Sequence, residues 1–125
     1  MSAADVAGVA AAGSLGAPAR YLLDRAISRR SRPPMPWATL VINVSGSLLL
    51  GVITGFGLYH GLGTTTRLIA GTGFFGAYTT YSTYSAQTVA LWEDGLRRPA
   101  ATYTALSVVL SCVAAGLGLG LAAIA

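Results

Sequence analysis

The sequence predicts an all-α membrane protein of four transmembrane helices, and three observations carry that reading. Eight arginines and four acidic residues are the only formal charges among 125 residues, and 54% of the chain is apolar, whereas about a quarter of an ordinary soluble domain is charged. Three runs, Trp37 to Tyr59, Leu68 to Trp92 and Pro99 to Ala125, contain no Asp, Glu, Lys or Arg, and each matches the roughly 20 residues that a helix needs to cross a bilayer. Glycine is frequent, at 16 residues, and recurs four apart at Gly51 and Gly55 and at Gly116 and Gly120. Small residues at that spacing let helix backbones approach closely inside lipid.

The first helix is the least obvious. The stretch from Val6 to Leu23 is rich in Ala and Gly and carries Arg20 near its end, so hydropathy alone leaves it marginal. Beside three strong spans it has no polar surface to turn to water, which favours an even count. It also lacks the positive start of a signal peptide and reads as a retained span. The predicted helices cover about 4–24, 36–59, 67–92 and 99–124 of a single domain. Pro33, Pro34 and Pro36 block any continuation of the first helix, and Pro99 suits the opening turn of the fourth.

Charge and composition exclude several functions. A net charge of +4 does not make a nucleic-acid surface here, because the arginines sit in short connectors rather than along an exposed face. The lone Cys112 supports neither a disulfide framework nor a zinc site and reads as a small buried apolar residue. His60, beside Gly61 and Gly63, reads as a solvated loop histidine. No nucleophile, base and stabiliser converge, so an enzyme is not expected.

The unusual polar feature is the run from Thr79 to Ser85, seven consecutive hydroxyl-bearing residues in the middle of an uncharged span. A helix turns through a circle in under four residues, so they cannot share one packed face. One reading breaks the helix near Gly76 to Thr80, with unwound carbonyls turned to a cavity and offered as hard oxygen ligands. The other keeps the helix whole and bonds each Ser and Thr to the preceding turn. Asn43 also has two readings: a tie between helices, or a donor lining a polar path. Thr39, Asn43 and Ser47 share a helix face, and Ser107 and Ser111 repeat the four-residue spacing in the last span.

These segments resemble one known family. Gly13-Ser14-Leu15-Gly16-Ala17 with Arg20 and Tyr21, then Pro36-Trp37-Ala38-Thr39-Leu40 with Asn43 and Gly46, then Gly73 through Ser85 are similar, in order and spacing, to the signatures of the Fluc fluoride channels, also called CrcB proteins. The resemblance runs from about Ala12 to Thr88, and the final helix matches by length and polar spacing only. It implies a fluoride-selective passive channel in the bacterial inner membrane, built as an antiparallel, dual-topology dimer with two fluoride pathways. It also implies a structural sodium ion held by the backbone carbonyls of Gly76 and Thr79 from both subunits. By the same carry-over Asn43, Tyr81, Ser82, Thr83, Tyr84, Ser107 and Ser111 lie on the fluoride pathway and Arg20 in a vestibule, although Arg20 also reads as a helix-end arginine reaching for water. The family's pore aromatics are usually Phe, and this chain has Tyr81 and Tyr84 there. Exchanging Asn43 for Asp is expected to spare fold and dimer.

Two rival readings have identifiable requirements. A small proton-coupled multidrug transporter needs a titratable carboxylate within the membrane, and the three strong spans hold none. A non-transporting assembly subunit needs the hydroxyl run only as helix glue. The arginines add an asymmetry: Arg25, Arg29, Arg30, Arg32, Arg97 and Arg98 fall on one side of the four spans, and Arg67 with the amino terminus on the other. The positive-inside rule then favours one orientation with both termini outside. An antiparallel dimer needs both orientations, so the partner is either a second copy or a homologue of opposite bias.

Overall fold

A computed structural model describes residues 1–125, which form helices and connectors without a strand. Helix α1 spans Ala3–Ser28 and α2 spans Trp37–Tyr59. The third rod is composite: α3 (Thr64–Arg67), a wider π-helical stretch (Leu68–Phe75), α4 (Gly76–Tyr78) and, after a two-residue interruption, α5 (Tyr81–Glu93). Helix α6 spans Arg97–Ile124. The chain therefore has four rods, of which α2 and α6 are continuous helices long and apolar enough to cross a membrane.

Local chemistry explains the boundaries. Ser2 caps α1 with a reciprocal pair of bonds: its hydroxyl accepts from the Asp5 N–H at 3.1 Å, and its own N–H donates to the Asp5 carboxylate at 2.7 Å. The helix then runs a turn past Asp24 to Ser28, because no residue before Pro33 breaks it. Pro18 sits inside α1, where it removes the bond that would reach the Ser14 carbonyl. Pro99 falls in the first turn of α6, where its missing N–H has no helical acceptor to lose.

Two contacts at one end fix the direction of the rods. Thr65, at the start of the third rod, donates to the Asp5 carboxylate at the start of α1 (3.0 Å). The His60 ring at the end of α2 donates from Nε2 to the Ala122 carbonyl at the end of α6 (2.7 Å). The short link from Tyr59 to Thr64 joins these two sets of ends, so the rods alternate up and down and both termini lie at the same end. His60 is thus held by a second helix, not free in its loop.

The rods pair by small residues. A Cβ added to Gly51 of α2 would strike the Ala115 carbonyl of α6, and one added to Gly118 would strike the Leu48 carbonyl and lie 2.8 Å from the Val52 nitrogen. Gly16 of α1 meets the Phe74 carbonyl in the same way. The glycines that the spacing picks out on the last helix make no contact within this chain. Gly116 and Gly120 have nothing within 4 Å, and the residues turned toward α2 are Gly118 with Ala114 and Ala122. Cys112, expected to be buried, is exposed on the outward face of α6.

A small core of Leu40, Leu91, Ala100 and Tyr103 closes the end away from the termini. Only 18 of 125 residues are buried, and the outward surface carries Leu15, Leu49, Val109, Leu117 and other large apolar side chains. Such a surface needs lipid or another protein against it.

The two kinds of α6 glycine should behave differently. Gly118→Ala pushes α6 away from the Leu48 carbonyl and is expected to destabilise by about 1–3 kcal/mol. Gly120→Ala should leave the melting temperature unchanged or slightly raised, since Ala is the better helix former. Thermal unfolding of the detergent-solubilised protein measures both.

Candidate functional site

The site forms where the third rod loses its helical geometry. Tyr78 is the last residue of α4; Thr79 (φ −79°, ψ 160°) and Thr80 (φ −149°, ψ 123°) are extended, and α5 restarts at Tyr81. The preceding turns are already loosened, because Leu68–Phe75 is wound as a π-helix around Gly71 and Gly73. Such widened turns recur at functional sites.

Asn43 holds the interruption. Its Nδ2 donates to the Thr80 carbonyl and its Oδ1 accepts from the Thr80 N–H, both at 2.9 Å. The side-chain amide pairs with a peptide group as a neighbouring strand would, and a flipped amide would set donor against donor, so the orientation is fixed. Asn43 keeps one further N–H donor. Ser45 adds a second tie between α2 and the third rod, with its Oγ 3.0 Å from the Tyr78 hydroxyl.

The same bonds free two carbonyls. In an unbroken α-helix the Thr80 N–H would reach the Gly76 carbonyl and the Thr83 N–H the Thr79 carbonyl. Here Asn43 takes the first, and the Thr80 hydroxyl, capping α5, takes the second at 3.2 Å. Both oxygens thus lack their α-helical donors, which suits them chemically to a hard cation. Gly76 is exposed on the chain's surface.

A cavity of about 300 Å³ lies beside the interruption, lined by Asn43, Ser47, Leu50, Thr79, Thr80, Tyr81, Tyr84, Ser107, Val108 and Ser111. It gathers polar residues of α2, the third rod and α6 and contains no charge. Ser107 is 6% exposed, and its Oγ is buried with no hydrogen-bond partner. A buried hydroxyl without a partner is costly. The Tyr84 ring lies between Tyr81 and Tyr103, at centroid distances of 5.7 and 5.5 Å. Tyr103 donates its hydroxyl to Gln87 Oε1 at 2.8 Å.

A second cavity, about 180 Å³, contains Arg20, Tyr21, Asp24, Thr39, Ile42, Thr80 and Thr83. Thr80 lines both cavities, so it stands between the arginine and the uncharged chamber. Asp24 tempers the positive field of Arg20.

The residues singled out in the sequence thus divide. Asn43, Thr79, Tyr81, Tyr84, Ser107 and Ser111 meet in the first cavity, and Arg20 and Thr83 in the second. Ser82 and Gly76 line neither; Ser82 Oγ lies 3.3 Å from Thr80 Oγ1. The sequence put Thr80 at the edge of the expected break without giving it a role in the site, and its backbone and hydroxyl organise the break. Its helix-capping chemistry, a Thr three residues before the Thr83 N–H, was the available signal.

The chain matches the family described as "CrcB-like protein, Camphor Resistance (CrcB)" over residues 7–119. It is 44% identical over 120 residues to "Fluoride-specific ion channel FluC 1" of Leifsonia xyli subsp. xyli, covering 96% of this chain and 88% of that relative. To "Fluoride-specific ion channel FluC 2" of Cutibacterium acnes it is 46% identical over 114 residues, 90% and 93% of the two chains. To the protein of the same name from Mycolicibacterium paratuberculosis it is 43% identical over 115 residues, 92% and 91% of the two.

The Asn43 pairing revises the expectation that Asp there would spare the fold. A carboxylate cannot donate to the Thr80 carbonyl and would set negative charge against it. Asn43→Asp is therefore expected to lower the melting temperature of the solubilised protein, the unpaired polar group costing about 1–3 kcal/mol. An unchanged melting temperature would show that the pairing does not hold the break.

Proposed function

The chain belongs to the CrcB family, and from that premise we propose that it is a fluoride-specific passive channel of the bacterial inner membrane, crossing it with all four rods. The observation that supports this best is the uncharged chamber in which the Ser107 hydroxyl has no partner and Asn43 has an N–H to spare. Fluoride is small and strongly hydrated, so a path must replace its lost water with closely set donors. Neutral amide and hydroxyl donors do this without the deep well that a buried cation would create, and conduction needs sites weak enough to leave.

On this reading an ion collected near Arg20 passes Thr39, Thr80 and Thr83 into the chamber. There Asn43 Nδ2–H, Ser107 and Ser111 donate to it, and the edges of the Tyr81 and Tyr84 rings, the positive rims of their π systems, face it. The tyrosine hydroxyls add donors that phenylalanine would lack. The membrane potential, negative inside, drives the anion outward.

The pathway is completed by a second, inverted subunit. Tyr81 is 80% exposed at the middle of a rod, and its phenol against lipid would go unpaired. Gly76 is exposed beside it, and a Cβ there would meet nothing nearer than the Gly71 carbonyl at 3.8 Å, so the need for glycine comes from whatever packs on that surface. The freed Gly76 and Thr79 carbonyls of two copies would together hold a sodium ion, which when bound supplies fixed positive charge and locks the interface. The arginine count favours a homologue of opposite bias as the partner over a second copy.

Three measurements test the proposal. Liposomes containing the purified protein, with sodium present and a paired homologue if one is needed, should release fluoride; a well-folded preparation that moves none rejects the channel. Ser107→Ala should slow release several-fold while the melting temperature stays constant or rises, because the lost hydroxyl has no protein partner. For orientation, C-terminal reporters active only in the cytoplasm or only in the periplasm should signal from the periplasm alone. Comparable signals from both would show dual topology and leave the chain pairing with itself.

A further inference from the structure

We infer that the end of the chain opposite Arg20 carries a second anion-collecting site, in which the Arg67 guanidinium and the hydroxyls of Thr54, Thr64 and Thr72 take a small hard anion, fluoride first. The inference rests on the channel reading for the identity of that anion. A cavity of about 520 Å³ opens between α2 and the first part of the third rod, with Arg67 and these three threonines in its wall. Arg67 Nε is buried and has no hydrogen-bond partner. The Asp5 side chain at this end is occupied by the Ser2 N–H and the Thr65 hydroxyl.

The guanidinium is placed by the fold. A Cβ on Gly57 of α2 would run into Arg67 Cδ and lie 2.8 Å from Nε and 3.0 Å from one terminal nitrogen. Glycine at that position leaves the notch across which the side chain lies. An arginine reaching straight for water would need no such notch.

The cavity lies beside the central chamber along one face of α2. Leu50 lines both, and Thr54 also lines a further cavity that reaches Ser47. Thr39, Asn43, Ser47 and Thr54 thus form a polar line of about 22 Å, at 1.5 Å per residue, with Arg20 near one end and Arg67 near the other. A permanently charged guanidinium concentrates anions at a mouth. The uncharged middle keeps them from being trapped there. The same chemistry would also hold a lipid phosphate, and the place of the cavity beside the chamber, on the same polar face of α2, favours the permeant ion.

The test is fluoride release from liposomes at low ionic strength, over a range of internal fluoride, for the wild type, Arg67→Gln and Arg67→Lys. Arg67→Gln should lower the rate about threefold or more at low fluoride, with the gap closing at high fluoride and narrowing with added salt; Arg67→Lys should recover part of it. Equal rates throughout, or a loss of the same factor at every fluoride concentration, overturns the site. So does a loss seen only in vesicles containing phosphatidylglycerol and absent in phosphatidylcholine, which would assign Arg67 to the phosphate of an anionic lipid. If Arg67→Gln does not fold, Thr72→Val, which removes one hydroxyl, is read against the same outcomes. A second readout separates this inference from the channel reading: fluoride should raise the melting temperature of the solubilised wild type more than that of Arg67→Gln. That difference in a protein that moves no fluoride would keep the site and discard the channel, and its absence there would discard both.

Discussion

The pairing of the Asn43 amide with the Thr80 peptide is the interaction on which the rest depends. A helix crossing lipid cannot leave backbone groups unpaired, and a helix that stops midway leaves several at once. Asn43 supplies a donor and an acceptor in the geometry of a peptide, so the third rod can open at Thr79 and Thr80 without exposing Thr80 to lipid. The consequences spread from there. The Thr80 hydroxyl is left to cap α5, the Gly76 and Thr79 carbonyls lose their helical donors, and Thr80 becomes the wall between two cavities. The tie and the path, which looked like competing roles for Asn43, are compatible: two of its bonding positions fix the backbone and one N–H remains.

That pairing is possible only because α2 is itself held close. Gly46 lies against the Tyr78 and Thr79 side chains, and Gly51 brings α2 onto the backbone of α6. Three rods therefore converge along the stretch of α2 from Asn43 to Gly51, and the chamber between them is bounded by α6 through Ser107 and Ser111. The glycines and the asparagine act together: the first let backbones approach, and the second satisfies the groups that the approach and the break expose.

Much of this was legible in the sequence. Uncharged runs of membrane length gave the rods, and a run of seven hydroxyls flagged the centre of the third, because both signals depend on composition along the chain. What sequence could not give depends on rotation about a helix axis. Gly116 and Gly120 have the spacing of a packing face and point outward, whereas Gly118, offset by two residues, is the contact. Cys112 is exposed for the same reason: the outward side of α6 is as apolar as its packed side, and only Ser107 and Ser111 mark the face that meets α2. The π-helical winding of Leu68–Phe75 shifts every later residue on that rod, and its only trace is the trio Gly71, Gly73 and Gly76. Thr80 stood among seven similar residues, and beyond its capping position before Thr83 only the three-dimensional meeting with Asn43 sets it apart.

On the channel reading, the distribution of charge then follows from what conduction requires. An anion must be drawn to a mouth, stripped of water, and released again, and the three steps ask for different chemistry at different depths. Full positive charge is useful at the ends, where water screens it and the ion can still leave; at the centre, where the dielectric is low, it would bind too tightly. The chain follows that order, with arginines toward both ends and neutral donors between. The tyrosines extend the same logic. A phenol presents the ring edge of phenylalanine and one additional hydroxyl, so on the same reading Tyr84, between Tyr81 and Tyr103, would add hydrogen-bonding power to the chamber without adding charge. In the proposed inverted pair each exposed Tyr81 would turn toward the other subunit, so the chamber of one chain would be closed by a residue of its partner, and pairing would be part of the pathway itself.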